Sequence, residues 1–368
     1  MKHVYLLLKP ASGRCNMRCA YCFYREEMAD RAEADCGMMK EETLRLVVEQ
    51  AFAMAESSCT FAFQGGEPTL AGIGFYETFH RLVDTYNRER IPVHFALQTN
   101  GLLVDDGWAS LWARHGYLVG LSLDGPMDLH NRYRKDRVGK GTFDRVLAAA
   151  DLLRAHGVEF NVLTVVSAAS VTDAAKLHHF FQKHRLPYRQ YIPLIAPSDR
   201  KEPYALTAER YGRFLCQLFD LWYRDIRAGV YTYDRTFSNW IGMLRGQPPE
   251  CCGMAGVCTP QLVIEADGSV YPCDFYATDA YRAGNVWDKP LRELWEQMAA
   301  GDFVSPSATP DPKCLACPYF ALCRGGCRRY RERRGGTMGP HVLCEGYRLF
   351  FAYALPRLTE LARSIRPN

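Results

Sequence analysis

The sequence contains no hydrophobic run long enough to cross a membrane or to direct export. Its first apolar run, Val4–Leu8, is followed at once by Lys9 and Pro10, whereas a signal peptide needs a longer apolar region. A membrane-spanning helix needs about 20 mostly apolar residues in succession. The sequence therefore predicts a cytosolic protein, in which thiols stay reduced.

A large charge surplus is also absent. The 45 Lys and Arg residues against 41 Asp and Glu residues give a formal net charge of +4, too small to indicate a nucleic-acid-binding protein. The basic run Arg328–Arg334 is interpreted as a solvated face that also offsets nearby negative charge. With 48% hydrophobic and 23% charged residues, the chain of 368 residues has the composition of two or three folded domains.

The common cofactor motifs are missing too. Gly72-Ile-Gly74 lacks the third glycine of a dinucleotide-binding loop, and Gly139-Lys-Gly-Thr142 lacks the rest of a Walker A motif. The pair His178-His179 has no second metal-ligand motif beside it, so we expect it on the surface. The sequence therefore gives no support for a dinucleotide-binding loop, a Walker A nucleotide site or a zinc-protease site.

Strand-like and helix-like segments alternate over the N-terminal half of the chain. The predicted strands are Tyr5–Leu8, Thr60–Gln64, His94–Gln98, Leu118–Leu123, Glu159–Val166 and Arg189–Ile195. The predicted helices between them are Lys40–Ala55, Phe75–Asn87, Asp106–His115, Phe143–His156 and Val171–His184. This alternation predicts an α/β protein with a parallel sheet, which could be a barrel or a doubly wound sheet.

Polar or glycine-rich segments follow several of these strands, at Gln64–Pro68, Gln98–Gly101 and Ser122–Gly125. The ends of barrel strands carry the chemistry, so these segments predict a rim that contacts a ligand. A long helix is predicted over Thr207–Ala228, and near Pro248 the composition changes to Cys, Gly and turn residues. There Ala266-Asp267-Gly268 predicts a β-hairpin, and Tyr347–Ile365 predicts a closing helix.

The sequence has 15 cysteines, and most of them occur in two groups. Clustered thiols in a reducing compartment usually bind metal. Cys15, Cys19 and Cys22 form a C-x3-C-x2-C motif after the first strand. Three thiolates can bind three irons of a [4Fe–4S] cluster and leave the fourth iron open. Structural zinc normally has four protein ligands, so iron–sulfur is favoured here and zinc is the alternative.

The second group contains eight cysteines, enough for two four-ligand clusters. They are Cys252, Cys258, Cys273, Cys314, Cys317, Cys323, Cys327 and Cys344. Their spacing alone does not separate iron–sulfur clusters from zinc knuckles. The other four, Cys36, Cys59, Cys216 and Cys251, are expected to be buried apolar side chains.

The first motif, with Tyr21 as its aromatic residue, resembles that of the radical S-adenosylmethionine (SAM) superfamily. This resemblance implies a partial (β/α)6 barrel and a cluster whose open iron binds S-adenosylmethionine. It implies that Gly65, Gly66 and Glu67 hold the methionine amino group. Ser122 and Arg134 would make further contacts to the methionine moiety.

The second group resembles the SPASM domain, an auxiliary-cluster module with a β-hairpin and a C-terminal helix. The resemblance implies that Cys252, Cys258, Cys273 and Cys327 bind one [4Fe–4S] cluster and that Cys314, Cys317, Cys323 and Cys344 bind another. With the first motif, this gives three clusters. The predicted domains are residues 1–247, including the long connecting helix, and residues 248–368.

Several longer segments resemble anaerobic sulfatase-maturating enzymes. They include Lys9–Ser12, Cys22–Tyr24, Phe61–Ala71, Leu97–Gly101, Gly120–Pro126 and Asp267–Tyr276. The resemblance implies oxidation of a Cys or Ser in a Cys/Ser-x-Pro-x-Arg segment of a sulfatase to Cα-formylglycine. Asp274 would be the catalytic base, and Tyr24 and Gln64 would line the pocket. The expected partners are a sulfatase and a low-potential electron donor such as flavodoxin or ferredoxin, with no nucleic acid and no membrane.

Two alternative functions stay open at this point. One is a maturase with the same modules that forms a thioether or another crosslink in a ribosomally made peptide. Only fourteen residues precede Cys15, which disfavours a leader-binding domain of the kind many such maturases carry. The other is a zinc-dependent binding module without catalysis.

Overall fold

A computed structural model describes residues 1–195, 202–333 and 336–365. These residues form two compact units. The first unit comprises Met1–Leu123, His130–Phe160 and Thr259–Phe303, and the second comprises the described residues of Asp124–Leu129, Asn161–Cys258 and Val304–Asn368. The division into residues 1–247 and 248–368 stays a prediction, and the two units divide the chain along other lines.

A parallel sheet forms the centre of the first unit. Its strands are β1 (His3–Leu8), β2 (Ser58–Phe63), β3 (Val93–Thr99), β4 (Tyr117–Ser122), β8 (Leu262–Ile264), β9 (Ser269–Tyr271) and β10 (Gly284–Asn285). They lie in the order β10-β9-β8-β1-β2-β3-β4. Strands β1 to β4 pair in parallel, as the alternating sequence pattern predicts.

The hairpin predicted in the Cys-rich region is part of this same sheet. Strands β8 and β9 pair antiparallel, which confirms the hairpin. Strand β8 also pairs in parallel with β1, with Leu6 opposite Leu262 and Leu8 opposite Ile264. The segment that follows β9 is thereby brought beside the segment that follows β1.

The second unit contains the strands β5 (Glu159–Val166, which begins at the end of the first unit), β6 (Tyr188–Pro193) and β7 (Tyr233–Asp234). Strand β6 pairs in parallel with both β5 and β7. The predicted strands Glu159–Val166 and Arg189–Ile195 therefore exist, with the second shifted by one or two residues.

The described residues contain fourteen α-helices. They are α1 (Tyr24–Ala29), α2 (Glu41–Met54), α3 (Ile73–Tyr86), α4 (Asp106–His115), α5 (Met127–Tyr133), α6 (Phe143–Ala155), α7 (Ala174–Lys183), α8 (Ala208–Arg227), α9 (Arg235–Leu244), α10 (Leu291–Ala300), α11 (Ser305–Ala308), α12 (Pro312–Leu315), α13 (Phe320–Cys323) and α14 (Cys344–Ser364). Of these, α2, α3, α4, α6, α7, α8 and α14 correspond to predicted helices, and the other seven were not predicted. Sequence periodicity missed α9, whose ten residues contain Trp240 and Phe237 in the core.

Close packing of the second unit depends on two glycines where α8 and α14 cross. A Cβ on Gly346 would lie 2.2 Å from the carbonyl oxygen of Ala208, and one on Gly212 would lie 2.7 Å from that of Gly346. Larger residues would hold the two helix backbones apart. In α14 the apolar residues Phe350, Ala354 and Leu358 are completely buried, so the closing helix is a core element.

Three expectations about burial are wrong in part. His178 is buried and its Nε2 lies 2.8 Å from Asp225 Oδ2. In the basic run, Arg331 is buried and donates hydrogen bonds to the carbonyl oxygens of Gly256, Ser307 and Thr309, because a buried guanidinium needs acceptors. Arg334 lies outside the described residues. Cys59 is buried as expected, whereas Cys36, Cys216 and Cys251 are partly exposed.

None of the helices among the described residues is long and apolar enough to span a membrane.

Candidate functional site

The three cysteines of the first motif lie on one loop between β1 and α1. The loop is fixed by backbone hydrogen bonds, from Arg18 N to Lys135 O at 2.8 Å and from Ala20 N to Tyr133 O at 3.1 Å. Cys15 Sγ accepts a hydrogen bond from Met17 N at 3.3 Å and lies 3.6 Å from Asn100 Nδ2. The loop therefore has a defined shape, and its first thiol already faces hydrogen-bond donors.

The chemistry of this loop suits a cluster with three thiolate ligands. Burial raises the pKa of Cys15 to about 12, and a thiolate charge on Cys19 or Cys22 would raise it further. Burial also raises the pKa of Cys22. Ligand thiols must lose their protons when they bind metal. The positive charge of iron would stabilise the resulting thiolates, which the buried loop by itself disfavours.

The glycine-rich loop after β2 packs against this cluster loop. Gly66 N donates to Ser12 O at 2.8 Å, and Glu67 N donates to Arg14 O at 2.8 Å. A Cβ on Gly65 would lie 2.8 Å from Ser12 O, and Gly65 has a φ of +116°. Both glycines are therefore required by the close approach of the two backbones.

The carboxylate of Glu67 accepts hydrogen bonds from neighbouring residues of the protein. Its Oε1 accepts hydrogen bonds from Thr69 N, Thr69 Oγ1 and Thr99 Oγ1, and its Oε2 accepts one from Asn100 N at 2.7 Å. Glu67 is 1% exposed. The side chain thus fixes the backbone of the loop after β3 at Asn100, the residue whose side-chain Nδ2 lies 3.6 Å from Cys15 Sγ. A contact between Glu67 and S-adenosylmethionine stays a prediction.

Replacing Gly66 by Ala is expected to damage this junction, because its Cβ would lie 2.0 Å from Arg14 O. We expect a loss of about 1–3 kcal/mol in the free energy of unfolding and weaker binding of S-adenosylmethionine. Thermal unfolding and equilibrium binding measure the two effects. Gly74→Ala is the matched control, because no atom lies within 4 Å of its Cβ position and Ala favours the helix. A Gly66→Ala protein as stable as the control would contradict the predicted clash.

The remaining predicted SAM contacts are distributed around the first motif. The Arg134 guanidinium stacks on the Tyr21 ring at 5.5 Å, and the Tyr21 ring meets Tyr133 edge-on at 5.9 Å. Burial raises the pKa of Cys22, and Arg134 is close enough to oppose part of that rise. Ser122 is buried at the end of β4. Tyr21 and Arg134 are thus brought together with the cluster loop, and their contacts to the cofactor stay predictions.

Asp274 lies in a polar pocket built by the segments after β1, β2 and β9. Its Oδ2 accepts hydrogen bonds from Tyr24 Oη at 2.7 Å and from Gln64 Nε2 at 2.9 Å. Gln64 Nε2 also donates to Tyr24 Oη at 2.7 Å. The structure therefore brings together three residues that the sequence assigned to one pocket. Because Tyr24 is two residues from Cys22 and Asp274 adjoins Cys273, the pocket is linked directly to two predicted cluster ligands.

Sequence reasoning missed the charged residues behind Asp274. Lys9 Nζ lies 3.1 Å from Asp274 Oδ1, 3.1 Å from Glu27 Oε2 and 3.5 Å from Glu265 Oε1. Arg31 completes the group with Nη1 at 2.7 Å from Glu265 Oε1. We call Lys9, Glu27, Arg31 and Glu265 the buried ionic cluster; all four are less than a tenth exposed.

The pKa shifts in this group follow from burial and charge. Burial raises the pKa of Glu27 to about 8, although Lys9 opposes the shift. The carboxylates, with Asp274 first among them, raise the pKa of Lys9 despite its burial, so Lys9 is a cation. Burial, together with the charge of Asp274, raises the pKa of Tyr24 well above its usual value, so Tyr24 is a neutral hydrogen-bond donor.

Seven of the eight auxiliary cysteines lie in the second unit, where they form two groups. Burial raises the pKa of Cys327 to about 12, and Cys252 and Cys258 are close enough to raise it further. Burial raises the pKa of Cys323 to about 11, with added effects of Cys344, Cys314 and Cys317. Cys327 therefore lies near Cys252 and Cys258, and the division of these cysteines into two ligand sets stays a prediction. Cys273 lies in the first unit, and its place in a cluster stays a prediction.

A cavity in the second unit fits the second auxiliary cluster. It has a volume of about 400 Å³ and is lined by the four predicted ligands Cys314, Cys317, Cys323 and Cys344. Among the described residues, no three His, Cys, Asp or Glu side chains are gathered around a single ion. Thiolates of one [4Fe–4S] cluster bind different irons, so their arrangement around a cavity is compatible with that group.

Two protein-family profiles match the chain. The Radical SAM superfamily matches residues 10–176, and an iron–sulfur cluster-binding domain, SPASM, matches residues 252–318.

The chain is also similar to proteins of known identity over its full length. It is 40% identical to a cysteine-type anaerobic sulfatase-maturating enzyme of Clostridium novyi, covering 99% of both chains. It is 28% identical to a serine-type anaerobic sulfatase-maturating enzyme of Bacteroides thetaiotaomicron, covering 99% of this chain and 92% of that one. The structure of native anSMEcpe with bound AdoMet and Cp18Cys peptide superposes with a TM-score of 0.94 at 39% identity, covering 99% of this chain and all of that one.

Proposed function

The chain belongs to the anaerobic sulfatase-maturating enzymes of the radical SAM superfamily, and we propose that it is a cysteine-type member whose catalytic base is Asp274. The α/β fold with a radical SAM sheet and a SPASM domain is as predicted. The enzyme uses [4Fe–4S] clusters and S-adenosylmethionine to convert a side chain of a sulfatase to formylglycine. The crosslinking alternative has less support.

The observation that carries the assignment of the base is the fixed orientation of Asp274. When bound, the reduced cluster and S-adenosylmethionine would supply the radical chemistry that takes a hydrogen atom from the substrate Cβ. Completing the oxidation requires removal of the thiol proton and of one further electron, for which an auxiliary cluster would be the acceptor. Water then replaces the sulfur, which leaves as hydrogen sulfide. The Asp274 carboxylate accepts hydrogen bonds from Tyr24 and Gln64 at Oδ2, and its Oδ1 forms an ion pair with Lys9 at 3.1 Å. A base that is oriented before substrate arrives is suited to this proton transfer.

The preference for cysteine is supported by the relatives. The identity of 40% to the cysteine-type enzyme of Clostridium novyi exceeds the 28% to the serine-type enzyme of Bacteroides thetaiotaomicron. We therefore propose Cys-x-Pro-x-Arg as the preferred target segment. Electrons would come from a low-potential donor of the flavodoxin or ferredoxin kind, because the clusters implied by the cysteine sets are redox centres.

A short synthetic peptide with Cys-x-Pro-x-Arg is expected to be a sufficient substrate. Extended peptides are held mainly through their main chain, with pockets for a few side chains, so folded sulfatase is not required. Conversion of Cys to formylglycine lowers the peptide mass by about 18 Da and creates an aldehyde that a hydrazine traps. Mass spectrometry with and without hydrazine checks both features, and a Ser-x-Pro-x-Arg peptide tests the preference.

The same spectra test the rival function. A thioether would lower the mass by about 2 Da and would give no hydrazone. If Cys-x-Pro-x-Arg peptides stay unchanged while 5′-deoxyadenosine accumulates, the substrate assignment is wrong. If the Ser peptide is converted faster than the Cys peptide, only the cysteine preference is wrong.

A further inference from the structure

Lys9 is the residue on which the buried carboxylates converge. It follows β1 directly, its backbone N donates to Ile264 O at 2.9 Å, and its side chain is 1% exposed. Gly65 makes room for its stem, because a Cβ there would lie 3.2 Å from Lys9 Cβ and Cγ. The ammonium group also lies 4.8 Å from the centre of the Tyr24 ring. Its position is therefore fixed by the backbone, by a glycine and by an aromatic ring.

Three acidic side chains lie around Lys9. Glu27 and Asp274 each lie 3.1 Å from its ammonium group, and Glu265 lies 3.5 Å from it. Arg31 forms its short ion pair with Glu265, with Nη1 2.7 Å from Oε1, and its Nη2 lies 3.8 Å from Glu27 Oε2. Lys9 is thus the near cation for both Glu27 and Asp274. Removing one partner of a buried ion pair leaves an uncompensated charge, and that is costly.

The contacts of Asp274 divide between its two oxygens. Tyr24 and Gln64 both bind Oδ2, whereas Oδ1 lies 3.1 Å from Lys9. Without Lys9, the carboxylate could rotate about its bond to Cβ and still keep one of the two Oδ2 donors. Neither Glu27 Oε1 nor Asp274 Oδ1 has a hydrogen-bond partner among the described residues, so the ion pair with Lys9 is the polar contact that Asp274 Oδ1 would lose with the ammonium group.

We propose that Lys9 is a positioning residue for formylglycine formation, which holds the Asp274 carboxylate in the orientation that accepts the substrate proton. The inference rests on the proposed role of Asp274 as the base. Lys9 acts through Asp274 and need not touch the substrate. Its loss is expected to affect the use of the radical more than its generation, because Lys9 lies outside the predicted cluster ligands and SAM contacts.

The test compares Lys9→Met, Lys9→Arg and Lys9→Met/Glu27→Gln with the wild-type holoenzyme. The readouts are iron content, 5′-deoxyadenosine formed, aldehyde formed on a Cys-x-Pro-x-Arg peptide, and thermal unfolding. We expect Lys9→Met to keep iron and SAM cleavage but to form about 10–100-fold less aldehyde per 5′-deoxyadenosine, the cost of a misplaced catalytic group. Lys9→Arg should recover part of that ratio. Lys289→Met, which removes an exposed lysine paired with Glu293, is the matched control and should keep the wild-type ratio.

The double variant separates positioning from the cost of burying an unpaired acidic group. Lys9→Met/Glu27→Gln removes the Glu27 carboxyl group together with the ammonium group that pairs with it, so it should recover stability but not the aldehyde ratio. If it recovers the wild-type ratio, or if Lys9→Met never lowers it, the proposal is overturned. A wild-type enzyme that cleaves SAM but forms no aldehyde would instead refute the proposed function.

Discussion

Replacing Cys15, Cys19 and Cys22 together by Ala is expected to abolish both SAM cleavage and aldehyde formation. The three thiols share one loop whose backbone is held by Lys135 and Tyr133, so their loss removes every predicted protein ligand of one cluster. A reconstituted wild-type chain should hold three [4Fe–4S] clusters, or about twelve irons, and the triple variant about eight. Iron analysis and chromatography of 5′-deoxyadenosine measure the two effects.

The control for this variant is Cys216→Ala, because Cys216 lies in α8 and belongs to none of the predicted ligand sets. It should retain all the iron and normal SAM cleavage. If the triple variant still cleaves SAM, the assignment of this loop is wrong. Tightly bound zinc in place of about eight irons would refute the auxiliary clusters and leave the first cluster untouched.

Much of this site could be predicted from sequence because its residues occur in short, local motifs. The cysteine spacing and the glycine loop each lie within a few residues of one another. Tyr24, Gln64 and Asp274 came from resemblance, and the structure brings them together. The pattern of apolar residues located the strands β1 to β6 for a similar reason, since each strand is a short apolar run that can be recognised from neighbouring residues alone.

The buried ionic cluster could not be predicted in the same way. Lys9 follows an apolar strand, and Glu27 and Arg31 resemble exposed charges near a short helix. Their partner Glu265 is more than two hundred residues away along the chain and reaches them only because β8 pairs with β1. Charges are usually exposed, so no local pattern marks these residues as buried.

Glu67 shows a related limit of motif reasoning. The resemblance assigned it to the cofactor, yet four hydrogen bonds from Thr69, Thr99 and Asn100 occupy its carboxylate. A motif identifies which residue is required at a position. The hydrogen bonds indicate that the requirement at Glu67 includes fixing the backbone at Asn100, whose side chain lies near Cys15.

Asp274→Asn is expected to separate radical generation from substrate oxidation. The substitution keeps the shape of the side chain but removes the carboxylate that would accept the thiol proton. A general base typically contributes between about two and four orders of magnitude in rate, so aldehyde formation should fall by that factor. Iron content and 5′-deoxyadenosine formation should stay close to wild type, because Asp274 is not a predicted ligand of any iron.

Asp267→Asn serves as the control, since Asp267 lies on the same hairpin and accepts hydrogen bonds from Ser269 N and Oγ. It should keep the wild-type ratio of aldehyde to 5′-deoxyadenosine. If Asp274→Asn loses iron, the residue supports the segment that carries Cys273; if it turns over normally, it is no base. A combined Lys9→Met/Asp274→Asn variant adds a sharper test: when Lys9 acts only through Asp274, its loss should lower the ratio no further. Additive losses would mean that Lys9 acts on the substrate by another path.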